Sequence, residues 1–332
     1  MYETEKYIFL LTNERAFLFF RLFAYIPPFS ICLLVYFIQG VLRLRVAFSL
    51  VFRYNFRRLC KEVANMMKLG FIGIGNMGSV LALCAKKSVP DVPILVSSRS
   101  GERAEAFAVV NDCIATTNSA IAEEATMIFL GVKPHQMKDL LQELSPILSS
   151  RTDSFVLISM AAGLSVDQIE AFVGFPCPVI RIMPNTPSLV GRGCIPYTTG
   201  HYANEEDAAE LETVLRQAGL LFPLADNLMD AASSVSGCGP AFSYIFIEAM
   251  ADAGVACGLP RDVSMALAAQ TMAGAAEMVL QTGEHPAALK DKVCSPGGST
   301  IAGVCALEEH GLRNAAQKAV LAAFQKNRQL GK

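Results

Sequence analysis

Residues 69–78 read Leu69-Gly70-Phe71-Ile72-Gly73-Ile74-Gly75-Asn76-Met77-Gly78. The stretch opens as an apolar run of strand length and closes in glycines, and Ser79–Lys86 continues it with helical character. Strand, glycine turn and helix, in that order, are the context that a G-x-G-x-x-G dinucleotide-binding loop needs. The first glycine allows the tight turn, the second lets the backbone approach a pyrophosphate, and the third permits close packing of helix on strand. The helix N-terminus would turn its unpaired N–H groups and the positive end of its dipole onto the phosphates.

In such a unit, the residue that selects the cofactor ends the second strand, about 20 positions past the loop, where a carboxylate would bond a ribose 2′-hydroxyl. Here the chain reads Pro93-Ile94-Leu95-Val96-Ser97-Ser98-Arg99-Ser100, with no carboxylate. Hydroxyls and a guanidinium suit a 2′-phosphate, because arginine offers fixed, charge-assisted donors. The reading favours NADPH, with NADH as a weaker cofactor. Further apolar runs at Thr126–Val132 and Ser154–Met160, separated by helical stretches, predict an α/β fold with a doubly wound parallel sheet. Ligands of such sheets sit at the carboxyl ends of strands, which places Lys133-Pro134 and Ala161-Ala162-Gly163 beside the cofactor.

Past about Asp226 the pattern changes: strand-like runs give way to helical stretches rich in Ala, Met, Gly and Leu. Pro240–Cys257 starts at a proline and is followed by Gly258-Leu259-Pro260, and Arg261–Gln281 ends before Gly283. Their many small residues suit a compact bundle or an interface with a second copy. The loop Val293-Cys294-Ser295-Pro296-Gly297-Gly298-Ser299-Thr300-Ile301 leads into another helical stretch, Ile301–Glu309, and its glycines and hydroxyls form a site for a carboxylate.

Composition narrows the function classes. Residues 1–66 hold nine Lys/Arg against four Asp/Glu, which leaves 19 against 26 in the remainder. An acidic body argues against a nucleic-acid partner. The ten cysteines form no C-x-x-C pair and mostly lie in apolar runs, so free buried thiols in a reducing compartment are expected, with neither a disulfide framework nor a bound metal. Residues 1–66 stand apart. Leu22–Leu42 is 21 uncharged residues long, enough to cross a bilayer, but it is interrupted by Pro27-Pro28 and followed by Arg43, Arg45, Arg53, Arg57 and Arg58. The stretch is either a membrane anchor that leaves the remainder in the cytoplasm, or an extension upstream of a start at Met66-Met67.

These residues together resemble one family, the pyrroline-5-carboxylate reductases, over roughly Met67 to Gln329. The motifs are Gly73–Gly78, Val132-Lys133-Pro134, Ala161-Ala162-Gly163, Arg181-Ile182-Met183-Pro184-Asn185-Thr186-Pro187, and Gly237-Cys238-Gly239-Pro240-Ala241. The likeness closes with His285-Pro286, Leu289-Lys290-Asp291 and Ser295-Pro296-Gly297-Gly298-Ser299-Thr300, its most specific stretch. The resemblance implies a Rossmann domain at 67–228 and an all-helical domain at 229–330 that interlocks with a second subunit, as a homodimer or a larger ring. It implies that Ile72, Gly73, Ile74, Gly75, Asn76, Met77, Ser98, Arg99, Asn118, Gly131, Val132, Lys133, Pro134, Met160, Ala161 and Ala162 contact NADPH, together with Gly78 of the loop. Asp226, Lys292, Ser299 and Thr300 would lie at a cyclic imino-acid substrate, although Asp226 stands where Glu is common and Lys292 where Asn is common.

The implied reaction is hydride transfer from NADPH to the C=N carbon of 1-pyrroline-5-carboxylate, giving L-proline. An iminium is already electrophilic, so catalysis would be mostly positioning. Thr300 is the candidate catalytic group, orienting or protonating the ring nitrogen. The four histidines, His135, His201, His285 and His310, fit no general-base motif and read as solvated or capping residues. Two other functions stay open. A 3-hydroxyacid-dehydrogenase-like oxidoreductase would need a lysine at the start of the helical part, and Gly237–Glu248 has none. A non-catalytic, NADP-sensing module anchored through residues 1–66 would leave the Ser295–Thr300 loop without a purpose.

Overall fold

The computed structural model describes residues 67–330. Both readings of residues 1–66, anchor and upstream extension, fall outside those residues. The quoted stretch forms strand β1 (Leu69–Ile72), every residue of which is buried. It lies between β2 (Ile94–Ser97) and β4 (Met127–Leu130), parallel to both. A strand covered on both faces reads as a continuous apolar run, as Leu-Gly-Phe-Ile does. Phe71 and Phe129 share a register position on β1 and β4, and their rings stack at 4.3 Å.

The sheet has eight strands in the order β3-β2-β1-β4-β5-β6-β7-β8, with β3 at Ile114–Ala115, β5 at Val156–Ser159, β6 at Val179–Ile182, β7 at Gly193–Thr199 and β8 at Gly219–Pro223. Its first half follows the expected doubly wound plan. One pairing departs from an all-parallel sheet: β6 and β7 are antiparallel. Only residues 183–192 join them, including Pro184 and Pro187 and a 3₁₀ turn at Thr186–Val190. That link is shorter than the dozen or so residues a parallel crossover needs, so the chain turns back on itself.

Helices cover both faces. One layer holds α3 (Asn118–Glu124), α4 (Pro134–Ser150) and α5 (Val166–Val173), and the other face carries α1 (Asn76–Ser88) against α6 (Glu205–Leu215). α2 (Glu102–Asn111) flanks β2 and β3. On α4, Met137, Leu140, Leu141, Leu144 and Leu148 recur at helical spacing and are buried against Leu157 and Val179 of the sheet.

After β8 the described chain is helical: a 3₁₀ turn at Asp226–Leu228, then α7 (Met229–Ser236), α8 (Gly239–Ala256), α9 (Arg261–Thr282), α10 (Pro286–Lys292), α11 (Ser299–Glu309) and α12 (Leu312–Leu330). Pro240 sits in the first turn of α8, and Gly283 caps α9 with φ +65°, so the punctuation read from the sequence is used. α8 and α9 pack together, with Ser264 Oγ donating to the carbonyl of Ala251 at 2.7 Å. Their remaining apolar surface is largely open: Tyr244, Ile245, Leu267 and Leu280 are each more than half exposed.

All eight described cysteines are unpaired. Cys84 and Cys177 are buried as expected, and burial pushes the Cys177 thiol up to about 12, which leaves it inert. Cys257 and Cys305 depart from the expectation and are exposed, because they belong to helical surface that the single chain does not cover.

Candidate active site

The glycine loop crosses from β1 to α1. Gly73 has φ +96°, and a Cβ there would stand 2.8 Å from the carbonyl oxygen of Gly131, so only glycine fits. A Cβ on Gly78 would collide with the carbonyl oxygen of Gly73, which is how the third glycine brings α1 down onto β1. Gly75 differs: a Cβ there would meet nothing within 4 Å. Packing among the described residues therefore does not require glycine here and leaves this side of the loop backbone open. α1 starts with no side-chain cap and no acidic residue in its first turn, while Lys86 and Lys87 end it. Its dipole and its open N–H groups face the loop.

Beyond the loop opens a cleft of about 700 Å³ at the carboxyl ends of β1, β2 and β4. It gathers Ile72, Gly73, Ile74, Gly75, Ser98, Arg99, Asn118, Gly131, Val132 and Lys133, which brings most of the cofactor set named from the sequence to one place. Asn118 accepts a hydrogen bond from Ser97 Oγ at 2.7 Å, which leaves its amide NH2 to donate. Ser98 Oγ accepts the N–H of Ala104 at 3.0 Å, so its own hydroxyl proton is free to point at a ligand. Arg99 is exposed and, among the described residues, pairs with no carboxylate. Asn76, Met77 and Gly78 lie in the first turn of α1, Pro134 opens α4, and Met160, Ala161 and Ala162 follow β5, all outside the lining of this cleft.

Six residues of the lining were missed in the sequence: Ser100, Arg103, Gln136, Asp139, Leu140 and Glu143. Arg103 had a signal. It stands in the first turn of α2, where the helix dipole disfavours a cation, four positions after Arg99. Like Arg99, it has no carboxylate partner among the described residues. Gln136, Asp139, Leu140 and Glu143 follow Lys133 at helical spacing and become legible once α4 is known to begin at Pro134.

The residues named for substrate are not gathered in the same way. Asp226 accepts from Arg181 Nη1 at 2.9 Å. Lys292 is exposed and bonds Glu284 at 2.5 Å. Ser299 and Thr300 are the first two residues of α11, exposed beyond a turn in which Gly297 has φ +67°. Among the described hydrogen bonds and ion pairs, none links Asp226 with Lys292, Ser299 or Thr300.

Two of the histidines have settled roles. His285 Nδ1 accepts the N–H of Ala287 and caps α10. His201 Nδ1 lies 2.8 Å from Glu170, whose carboxylate, with Asp167 nearby, raises the imidazole above its ordinary range. Asp167, Glu170 and His201 are also the one cluster of metal-type side chains among the described residues, and the Glu170–His201 ion pair already engages it.

Comparison with known proteins gives these features a family. Residues 226–330 match the family described as pyrroline-5-carboxylate reductase dimerisation, and residues 68–163 match one described as NADP oxidoreductase coenzyme F420-dependent. The pyrroline-5-carboxylate reductase of Pisum sativum is 39% identical over 264 residues, 79% of this chain and 95% of its own. The chain belongs to the pyrroline-5-carboxylate reductase family. The Escherichia coli member is 40% identical over 271 residues, 80% of this chain and 98% of its own. Among solved members, the Plasmodium falciparum reductase with NADP bound is 33% identical with a TM-score of 0.71, covering 80% of this chain and 98% of that one. The Coxiella burnetii reductase is 30% identical with a TM-score of 0.73, over 80% and 99%. Membership also accounts for α9, whose length and apolarity alone would suit a bilayer: it lies within the matched dimerisation segment.

Proposed function

We propose that this chain reduces the C=N bond of 1-pyrroline-5-carboxylate to L-proline with NADPH. The observation that carries the reading is the presence in one family member of both a cleft that sets the guanidiniums of Arg99 and Arg103 beside Ser98, and the Ser295–Thr300 turn on its dimerisation segment. When bound, NADPH supplies a hydride to the imine carbon, and the ring nitrogen takes up a proton.

The residues do the remainder. Gly73–Gly78 and the first turn of α1 hold the pyrophosphate, with Ser98, Arg99 and Arg103 donating to the 2′-phosphate. Asn118, Gly131–Pro134 and Met160–Ala162 line the path toward the reacting ring. Ser299, Thr300 and the N–H groups at the start of α11 hold the substrate carboxylate, with Asp226 and Lys292 at its rim, and Thr300 orients or protonates the nitrogen. Such catalysis is positioning of two ligands, not supply of a strong acid.

The working division is a cofactor domain at 67–228 and a substrate and dimerisation domain at 229–330. The exposed apolar faces of α8 and α9 support a homodimer, with a larger ring as a further step. The cysteine pattern in the sequence, with no C-x-x-C pair, suits a reducing compartment, the cytoplasm; a membrane enters only through residues 1–66. The hydroxyacid-dehydrogenase alternative gains no observation, since Gly237–Glu248 carries no lysine. Incubating the purified protein with NADPH and pyrroline-5-carboxylate should yield proline with loss of NADPH absorbance. Turnover of a 3-hydroxyacid, or of neither substrate, overturns the reading.

A further inference from the structure

The motif Arg181–Pro187 marks the family in the sequence, yet neither the cofactor cleft nor the Ser295–Thr300 turn uses it. Arg181 lies on β6, inside the sheet, and its side chain is only 3% exposed. Among the described residues its Nε has no hydrogen-bond partner, while Nη1 donates to Asp226 Oδ1 at 2.9 Å and Nη2 to Asp230 Oδ1 at 3.2 Å. Asp226 opens the turn before α7, and Asp230 is the second residue of α7. Four residues after Arg181, Asn185 takes the other end of the same helix. Its Nδ2 donates to the carbonyl of Ser236, the last residue of α7, at 2.8 Å, and its Oδ1 accepts the N–H of Cys194 on β7 at 2.9 Å. α7 is thus tied at both ends to the segment leaving β6. α12 adds a third tie, Asn327 Nδ2 donating to Ser234 Oγ at 3.1 Å. The whole substrate-side bundle follows α7 in the chain.

A buried ion pair adds little net stability over apolar residues of like volume, because desolvation offsets the attraction. A planar guanidinium held between two carboxylates does constrain geometry, and a point charge on a flexible stem does not. We propose that Arg181 and Asn185 are positioning residues that set the pitch of α7 against the sheet, so that Asp226 and the helices after it stand in register with the cofactor cleft. The proposal rests on the reductase reading above. It assigns the motif a role in substrate alignment, not in cofactor binding.

Arg181→Lys keeps the charge and loses the fork, and Asn185→Ala removes the far tie. Both variants should bind NADPH within about twofold of wild type, while kcat/KM for the imino acid falls between about 10- and 100-fold with KM raised, the scale of an ångström-sized misplacement. Amide hydrogen exchange should quicken across 226–236 and stay unchanged in β1 and α1. Wild-type kcat/KM in both variants overturns the proposal, as does unchanged exchange across α7, or NADPH affinity falling in step with kcat/KM. A wild-type protein that turns over no imino acid sinks the reductase reading alone, and hydrogen exchange then decides the positioning role. Should Arg181→Lys fail to fold, Asp230→Asn, which frees only one of the two Nη contacts, is read by the same measurements.

Discussion

β1, β2, β4, β5 and β6 are buried at every residue, whereas α8 buries only Ala251 of its 18 residues and α9 only Ser264 and Ala268 of its 22. α8 and α9 are themselves rich in apolar residues, so a polar sequence does not explain their exposure. The sheet region meets its own helices on both faces. The helical region presents apolar side chains on more sides than its neighbours can cover, and its Ser299 and Thr300 stand exposed. A single chain therefore carries a finished half and an unfinished one, and a second copy is the natural cover for the latter.

The largest effects separate fold from ligand within the finished half. Gly78→Ala drives a Cβ into the carbonyl of Gly73, so it should cost about 1–3 kcal/mol in urea unfolding, the range of an overpacked interior, and abolish NADPH binding as well. Gly75→Ala should leave the unfolding midpoint unchanged, since its Cβ meets no described protein atom within 4 Å, and still weaken NADPH severely, since the second glycine lets the backbone approach the pyrophosphate. Equal stability losses in the two variants would show that the loop is shaped by packing alone.

Next in size is a charge on the unfinished half. Leu267→Asp or Ile245→Asp should leave NADPH affinity intact, because both side chains are more than half exposed and lie outside the cofactor cleft. Each should weaken self-association by on the order of 2 kcal/mol or more, the scale of an interface anchor. Sedimentation would show monomers, and proline formation would fall with the dimer fraction. Full activity from a monomer would mean that the helical face needs no cover.

The cofactor half was the more legible because its signals are local. Gly73, Gly75 and Gly78 fall within six positions of one another between a strand and a helix, and Ser98 and Arg99 follow at a fixed offset from the loop. The reversal of β7 was hidden, although the two prolines between β6 and β7 hint at a tight return. Arg103 and Gln136 were missed because they reach the cleft from helix turns whose phase depends on where α2 and α4 begin. Asp226 and Lys292 were named only through family likeness, whereas Ser299 and Thr300 also stood out in a turn rich in glycines and hydroxyls. Nothing local to Asp226 shows that Arg181, 45 positions away, will hold it.

A smaller effect tests the selectivity drawn from Arg99 and extends it to Arg103. Arg99→Ala and Arg103→Ala should each weaken NADPH by about 10- to 100-fold, as loss of a charge-assisted hydrogen bond does, and weaken NADH far less. Fluorescence titration with both cofactors separates the cases. If Arg103→Ala affects both cofactors equally, its place in the cleft reflects helix geometry and not phosphate recognition.

The smallest effect belongs to the sheet region's surface. Glu170 accepts from the backbone N–H of His201 as well as facing its ring at 2.8 Å, and this contact raises the imidazole above its ordinary value of 6.5. A group whose folded value is raised stabilises the fold fully below the unfolded value, and the contribution is lost as pH rises through the folded one. The stability difference between wild type and His201→Gln should therefore be greatest in mildly acid buffer and shrink as pH climbs above 6.5. High salt should flatten the trend, because the ring is exposed and the pair is screened. Thermal melts of both proteins across that range provide the check. A difference that grows with pH would mean that Glu170 serves the backbone of the β7 turn and that the imidazole adds nothing to it.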